Sequence, residues 1–182
     1  MAQAAIRSKA HSAQPKELCF DQIPSALGQI LVVSDGESLC AVDFSDYEAR
    51  MRQRLEQRFG HVRLVPTSNP QGIGDALQSY LKGNVSSLDE LPVSLGGTPF
   101  QQQVWLALRT IPVGHVWTYG QLAHQIGRPT AYRAVGMTNA LNPIAIVLPC
   151  HRVIGANQTL TGYAGGLERK RWLLHHEGVT GY

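Results

Sequence analysis

The sequence is poor in cysteine and contains no long hydrophobic run. Its 182 residues include three cysteines, Cys19, Cys40 and Cys150, which are too few and too scattered to form a disulfide framework. We therefore expect a reducing compartment, which is the cytoplasm, or the nucleus in a eukaryote. No apolar run reaches the roughly 18 residues that a membrane-spanning helix requires, so we expect no membrane partner.

Charged residues are also scarce. Only 16% of the residues are charged and 43% are hydrophobic, which is enough to bury a core. The net charge of +3 is compatible with binding to nucleic acid but does not indicate it. Residues 1–16 are rich in Ala, Ser and Gln and lack the apolar centre of a secretory signal. We interpret them as a disordered tail rather than a transit peptide.

Patterns in residues 17–92 predict an α/β N-terminal domain with a small antiparallel sheet plus helices. Residues 30–33 and 39–44 are rich in β-forming side chains and flank an Asp-Gly turn, which is typical of a hairpin. Apolar residues at i, i+4 spacing in 47–59 predict an amphipathic helix. We expect a further strand at 62–65, a further helix at 73–81 and a linker at 92–97.

Residues 93–182 predict a mostly α C-terminal domain. Thr98-Pro99-Phe100-Gln101 and Thr118-Tyr119-Gly120-Gln121 are capping boxes that begin two helices. A glycine ends the second, and a third helix is predicted from Ala131 to about Leu141. Two helices joined by a short Gly-containing turn favour a helix-turn-helix. Four positions of the third helix are small, which permits close approach to a neighbouring helix or to another molecule: Ala131, Ala134, Gly136 and Ala140.

A thiol and an imidazole follow the apolar run 144–148. This run lies between prolines and predicts a buried extended segment. Neighbouring side chains of a strand point to opposite faces, so the chain must turn at Pro149 if Cys150 and His151 are to act together. The residues alone leave two interpretations open: an activated nucleophile beside its base, or an inert buried cysteine beside a surface histidine.

The motif Pro149-Cys150-His151-Arg152-Val153, with Asn142 before it and Tyr163 after it, resembles the active-site signature of the O6-alkylguanine-DNA alkyltransferases. The resemblance extends from about Thr98 to Gly178, and Pro24–Gly28 resembles the opening hairpin of the family. It implies DNA repair by irreversible transfer of an alkyl group from O6-alkylguanine, and from O4-alkylthymine, to a cysteine of the protein itself.

The resemblance also implies a role for each active-site residue. Cys150 is the acceptor, and His151 takes the thiol proton through a water molecule. Glu177 orients the imidazole. The alternative is that Glu177 is a solvated surface residue without this role. Asn142 bridges the third helix and the active-site segment. We expect neither a metal nor another cofactor, because Cys19 and Cys40 with His61 or His11 lack a Cys-x-x-Cys pair.

For the substrate, the resemblance implies a monomer that binds double-stranded DNA through the minor groove and flips the damaged nucleotide out of the helix. Arg133 would fill the space that the base leaves, and Tyr119 would meet the flipped nucleotide. The alternatives are that Arg133 is an ordinary surface residue and that Tyr119 is a residue of the buried core. Other residues are expected to line the base pocket: Tyr163, Ala164, Gly165, Val153, Asn139 and the backbone of Cys150.

Two other functions remain open. The first is a non-catalytic sensor of DNA damage, which the presence of Cys150 disfavours because such proteins replace that cysteine. The second is a cysteine hydrolase or thiol redox protein, in which the helix-turn-helix is only structural.

Overall fold

The structure is a computed structural model that describes residues 14–182. The predicted tail therefore lies mostly outside the described residues. Lys16, which we had assigned to the tail, is the first residue of strand β1.

A four-stranded mixed sheet organises the N-terminal half. Its strands are β1 (Lys16–Ser25), β2 (Gly28–Ser34), β3 (Leu39–Phe44) and β4 (Val62–Pro66), in the order β3-β2-β1-β4. The predicted hairpin of β2 and β3 is confirmed, and β1 pairs antiparallel with β2. The prediction of a wholly antiparallel sheet is wrong at β4, which runs parallel to β1 because a helix connects it to β3 across the sheet.

Helices cover both faces of this sheet. Helix α1 (Glu48–Phe59) buries Met51 and Leu55 against one face, as its i, i+4 pattern predicted. Helix α2 (Ile73–Leu81) buries Ile73 and Leu77 against the other face. The core on that second side continues without a break into the C-terminal half, so the two halves share one hydrophobic interior.

The C-terminal half is mostly helical, as predicted. Its helices are α3 (Pro99–Leu108), α4 (Tyr119–Gln125), α5 (Tyr132–Ala140) and α6 (Leu167–His176). Short strands β5 (Trp117–Thr118) and β6 (Val153–Ile154) form a parallel pair. Both predicted capping boxes are present, at Thr98 and Thr118. None of the helices in residues 14–182 is long and apolar enough to cross a membrane.

The helix-turn-helix consists of α4, a turn and α5. Gly127 has a φ of 71° in this turn, a conformation that glycine adopts at little cost. A 3₁₀ turn at Pro129–Ala131 then leads into α5. Leu122, Ala123 and Val135 are buried between the helices and the rest of the domain.

Residues 144–148 are buried as predicted, apart from the half-buried Ala145, but the prediction that they are extended is wrong. Ile144 forms an isolated bridge with Val42 of β3, after which the chain turns. The Leu148 N–H donates to the Ile144 carbonyl over 3.0 Å, and Ile146 has a φ of 70°. A β-branched residue rarely adopts this conformation, so the surrounding core must hold it there. The consequence is a compact turn directly before the cysteine.

Candidate active site

Cys150 begins a 3₁₀ turn, Cys150–Arg152, that follows Pro149. The predicted change of direction is therefore present, and it leaves Cys150 only 3% exposed. The Asn142 side-chain amide donates to the sulfur over 3.0 Å and to the Leu148 carbonyl over 2.8 Å. Its oxygen accepts from the Ile144 N–H over 3.0 Å. Asn142 thus ties the thiol to both ends of the preceding turn.

The thiol is protonated in this environment. Burial raises the pKa of Cys150 above its ordinary value, because a thiolate in a dry interior loses its hydration. The hydrogen bond from Asn142 and the positive charge of Lys170 act in the opposite direction. The thiol therefore needs a base at the moment of reaction.

The candidate base is His151, the next residue along the chain. Its Nε2 lies 2.9 Å from Oε1 of Glu177, and both side chains are completely buried. Since an ionised carboxylate only accepts hydrogen bonds, Nε2 carries the proton and donates it to Glu177. Nδ1 then has a lone pair and no partner in residues 14–182. Burial lowers the pKa of His151, so the imidazole is neutral and can accept a proton at Nδ1.

Glu177 caps the C-terminus of α6 and is held by more partners than the sequence indicated. Arg152 donates to its two oxygens over 2.8 and 2.9 Å, and the Tyr80 hydroxyl donates to Oε1 over 2.6 Å. Burial alone would raise the pKa of Glu177, but His151 and Arg152 more than offset this and keep the carboxylate ionised. Glu177 is therefore a buried charge and not a solvated one. Sequence reasoning missed Tyr80, which lies in the helix predicted at 73–81.

Residues 162–166 form a loop beside the thiol, which we call the pocket loop. The Tyr163 hydroxyl is buried without a partner in residues 14–182, and burial followed by the charge of Cys150 raises its pKa well above the usual value. The Ala164 carbonyl accepts from Arg50 of α1 over 2.9 Å. At Gly165, a Cβ atom would lie 2.5 Å from the Phe44 ring. The N-terminal half therefore supports this loop.

Cys150 and Val153, whose backbone the resemblance places at the base pocket, lie in the 3₁₀ turn and directly after it. The Cys150 carbonyl accepts from Nδ2 of Asn139 over 3.4 Å, and the Val153 carbonyl accepts from Nζ of Lys170 over 2.6 Å. Each carbonyl oxygen has a second lone pair for a further donor. Oδ1 of Asn139 is buried and has no partner in the described chain.

The chain matches two family models, and the boundary between them falls between α2 and α3. Residues 19–95 match the 6-O-methylguanine DNA methyltransferase, ribonuclease-like domain, and residues 99–179 match the 6-O-methylguanine DNA methyltransferase, DNA binding domain. The methylated-DNA--protein-cysteine methyltransferase of Shigella flexneri is 53% identical over 88% of this chain and 96% of its own length. The chain belongs to the 6-O-methylguanine DNA methyltransferase family.

Solved structures agree with this family assignment. The crystal structure of Mycobacterium tuberculosis O6-methylguanine methyltransferase has a TM-score of 0.73 at 39% identity, covering 88% of this chain and 92% of that one. Another structure shows the Mycobacterium tuberculosis protein in complex with DNA, with a TM-score of 0.69, 37% identity and the same coverage of both chains.

In this member of the family, α5 presents a mixed surface and not only small residues. Arg133, Ala134 and Ala140 are exposed, whereas Ala131 and Gly136 are half-buried. Gly136 lies near the Tyr119 ring, where an added Cβ atom would be 3.7 Å away, an ordinary van der Waals contact, so packing against this ring does not require glycine. Tyr119 also accepts a hydrogen bond from Thr161 over 3.2 Å. The surface includes large apolar side chains that the small-residue pattern did not indicate: Tyr132, Met137 and Leu141.

Metal ligands are not grouped within residues 14–182. No set of three or more His, Cys, Asp or Glu side chains there is arranged to hold a metal ion. Cys40 lies buried in β3, where burial raises the pKa of its thiol to about 11. His11 lies outside the described residues.

Proposed function

We propose that this protein repairs DNA by transferring the alkyl group of O6-alkylguanine, and of O4-alkylthymine, to Cys150. The carrying observation is the set of hydrogen bonds at Cys150 and at the adjacent His151. Asn142 donates to the thiol, and the adjacent His151 is oriented by Glu177 with an unoccupied nitrogen. This arrangement supports one nucleophile, one base and one orienting carboxylate.

In the reaction, the sulfur attacks the alkyl carbon attached to O6. The S–C bond forms as the C–O6 bond breaks, and the electron pair of the C–O6 bond moves to O6 of the departing guanine. The thiol proton passes through a water molecule to Nδ1 of His151 and finally neutralises the departing guanine. The sum is thiol plus O6-alkylguanine giving thioether plus guanine. Because a thioether has no comparable leaving group, each protein molecule reacts once.

Burial of the sulfur means that the base must leave the DNA duplex to reach it. Arg133 is exposed on α5, in a position to occupy the space that the base vacates. Tyr119 lies beneath the same helix and would contact the flipped nucleotide. The exposed surface of α5, with Ala134 and Ala140, suits contact with the minor groove, which requires little base reading.

The pocket loop would bind the base. Tyr163 would pack against it, and the backbone N–H groups of Ala164 and Gly165 would face O6 and assist its departure. Asn139 and the carbonyls of Cys150 and Val153 supply acceptors for the exocyclic amine. Three buried polar atoms have no partner in the described chain and belong to the proposed pocket or to the proposed general base: Asn139 Oδ1, Tyr163 OH and His151 Nδ1. Such groups are expected where a bound substrate or water completes the hydrogen bonding.

We further propose that the protein acts as a monomer in the cytoplasm, or in the nucleus in a eukaryote. All three cysteines are free thiols in the structure, which suits a reducing compartment.

The test is intact mass spectrometry after mixing with a duplex oligonucleotide that contains O6-methylguanine. We expect one methyl group per protein, mapped to the peptide that contains Cys150, and none after Cys150→Ala. The matched control is Cys19→Ala, which keeps the reaction. Several turnovers per protein, or a methyl group on Cys19 or Cys40, would contradict the proposal. Hydrolysis of a small ester with turnover would instead indicate a cysteine hydrolase.

A further inference from the structure

A cleft lies between the N-terminal and C-terminal halves of the chain. It has a volume of about 570 Å³ and is bordered by α1, by the linker at residues 96–97, by the first turns of α3 and by the residues that follow α5. Leu55 of α1 and Trp105 of α3 contribute to its apolar lining. Neither Cys150 nor His151 lines it, so the cleft is separate from the site described above.

Two arginines of α1 line this cleft without a compensating carboxylate. Arg54 and Arg58 are half-buried, and within residues 14–182 neither forms an ion pair. The carboxylate that lines the cleft, Asp43, is bound by Arg50 through both of its oxygens. Burial and the charge of Arg50 lower the pKa of Arg54, so an anion beside Arg54 would be stabilised. We call this site the arginine cleft.

Both arginines are held in place and still have N–H groups for a ligand. In the described part of the chain, Arg54 donates to the Asn142 carbonyl over 3.4 Å, and Arg58 donates to the carbonyl and the hydroxyl of Ser94. A guanidinium group has five N–H donors, so these contacts use a minority of them. Planar guanidinium groups bind phosphate oxygens through pairs of parallel hydrogen bonds. The arginine cleft therefore has the chemistry of a phosphate site.

The exposed face of α5 leads directly to this cleft. Arg133, Met137 and Leu141 are all exposed and follow one another at i, i+4 and i+8, which places them on one side of the helix. Leu141, at the end of this row, also lines the arginine cleft. At 1.5 Å per residue, the backbone of Leu141 lies about 12 Å from that of Arg133. The cleft thus continues the surface of α5 that we propose to contact DNA.

We propose that Arg54 and Arg58 bind backbone phosphates of the duplex on which α5 lies, so that the N-terminal half takes part in DNA binding. This inference rests on the proposed function, because it extends the DNA surface assigned there to α5. Along one strand, about 12 Å corresponds to three or four base pairs at 3.4 Å each. The contacted phosphates therefore lie at least that far from the flipped nucleotide. Phosphate contacts carry no sequence information, which suits a protein that must bind damage in any sequence.

The first experiment measures affinity for a short undamaged duplex as a function of salt concentration, in Arg54→Gln, Arg58→Gln and the double variant. Each phosphate contact contributes about 0.9 to the slope of log affinity against log salt. We expect the slope to become shallower by about one in each single variant and by about two in the double variant. Arg52→Gln is the matched control, because Arg52 is an exposed arginine of the same helix that pairs with Glu48 outside the cleft. Equal slopes in the natural protein and the double variant would overturn the proposal.

The second experiment locates the phosphates. Cys150→Ala binds a duplex with one O6-methylguanine without reacting, and one phosphate at a time is replaced by a neutral methylphosphonate. We expect a replacement at about 12 Å or more from the damaged nucleotide to weaken binding, and to have no effect once Arg54 and Arg58 are both glutamine. If every sensitive phosphate stays sensitive in that variant, the proposal is wrong. Should the variant not fold, the scan alone decides, since no sensitive phosphate at that distance would also overturn it.

Other roles of the arginine cleft give different results. A loss of affinity with no change in the salt slope would mean that Arg54 and Arg58 act through packing. An effect confined to duplexes long enough for two protein molecules would assign the cleft to a second copy of the chain. Either result would overturn the proposal. If the proposed function itself fails, Cys150→Ala will not prefer the duplex with O6-methylguanine, whereas the salt titration on the undamaged duplex still tests the two arginines.

Discussion

Asn142 lies 3.0 Å from the sulfur of Cys150 through the same nitrogen that donates to the Leu148 carbonyl over 2.8 Å. One amide group therefore contacts both the nucleophile and the turn that presents it. Asn142 also follows α5 by two residues, so it connects the reacting atom to the end of the helix that would contact DNA.

Asn142→Ala should lower both stability and reactivity. The substitution leaves the Ile144 N–H without its partner in the core, which costs about 1–3 kcal/mol, while the Leu148 carbonyl keeps its hydrogen bond from the Cys150 N–H. It also removes a hydrogen bond that lowers the pKa of the thiol. Thermal melts and the pH dependence of transfer measure the two effects. Asn84→Ala, on an exposed turn, is the control, and a similar melt for both variants would contradict this role.

Methylation of Cys150 should loosen α5 as well as lower Tm. An added methyl group in a packed interior costs about 1–3 kcal/mol, which corresponds to several degrees of Tm in a protein of this size. It also weakens the sulfur as an acceptor for Asn142. Hydrogen exchange should therefore become faster in α5 of the methylated protein than in α3, which serves as the internal reference. Unchanged exchange in α5 would show that the pocket accommodates the group without strain.

Arg133→Ala should separate base flipping from chemistry. If Arg133 holds the flipped state in duplex DNA, its loss should slow repair of the duplex at least tenfold and change transfer from free O6-benzylguanine little. Arg171→Ala removes an exposed arginine of α6 that binds Glu168, and it should affect neither reaction. Equal losses with both substrates in Arg133→Ala would point to misfolding and not to flipping.

Glu177→Gln should be among the most damaging substitutions that preserve size. It leaves Arg152 as a buried charge without a carboxylate, and breaking such a pair typically costs about 3–5 kcal/mol. The effect on rate should be present with both duplex and free base, since His151 loses its orienting partner. Tyr80→Phe removes only one of several donors to the same carboxylate, so it should cost about 1 kcal/mol. Chemical denaturation of the natural protein, Glu177→Gln and Tyr80→Phe measures the order of their free energies of unfolding.

Stability should decrease as the pH falls below neutral. The pKa of His151 is lower in the folded protein than its ordinary 6.5, so its contribution is complete above that value and is lost as the pH falls below it. The pKa of Glu177 is also lowered, from 4.5, so its contribution is complete above that pH and disappears as the pH falls further. Denaturation from pH 8 down to about pH 2 should show two successive losses. Glu177→Gln should remove the second, and a profile that is flat below pH 6.5 would contradict both.

The sequence predicted the elements whose signals are local. The capping boxes at Thr98 and Thr118 mark helix starts because cap and helix lie within four residues, and the Asp-Gly turn marks its hairpin for the same reason. The parallel position of β4 could not be predicted, since it depends on how α1 crosses the sheet. The turn at 144–148 was missed because tertiary packing holds Ile146 in a conformation that its side chain disfavours.

The residues of the site also divide into those with a local sequence signal and those that only tertiary packing brings there. The motif around Cys150 and the resemblance indicated Cys150, His151 and Glu177, and the structure places His151 against Glu177 and Cys150 against Asn142. Tyr80 lies 97 positions before its partner Glu177, and Arg50 lies 114 positions before its partner Ala164, so no local sequence pattern links them to the site. Lys170 has no sequence signal as a buried residue, because lysines on helices are usually exposed.

Arg50 and Phe44 make the N-terminal half a support for the pocket loop. The pocket loop lies on the Phe44 ring at Gly165 and is fastened by Arg50 at the Ala164 carbonyl. Its shape is therefore a property of the whole chain. Residues 99–179 contain every group that we propose to react, but they lack Phe44 and Arg50, which contact the pocket loop. We therefore expect a sequence change in β3 or α1 to change the shape of the pocket loop while Cys150, His151 and Glu177 stay the same.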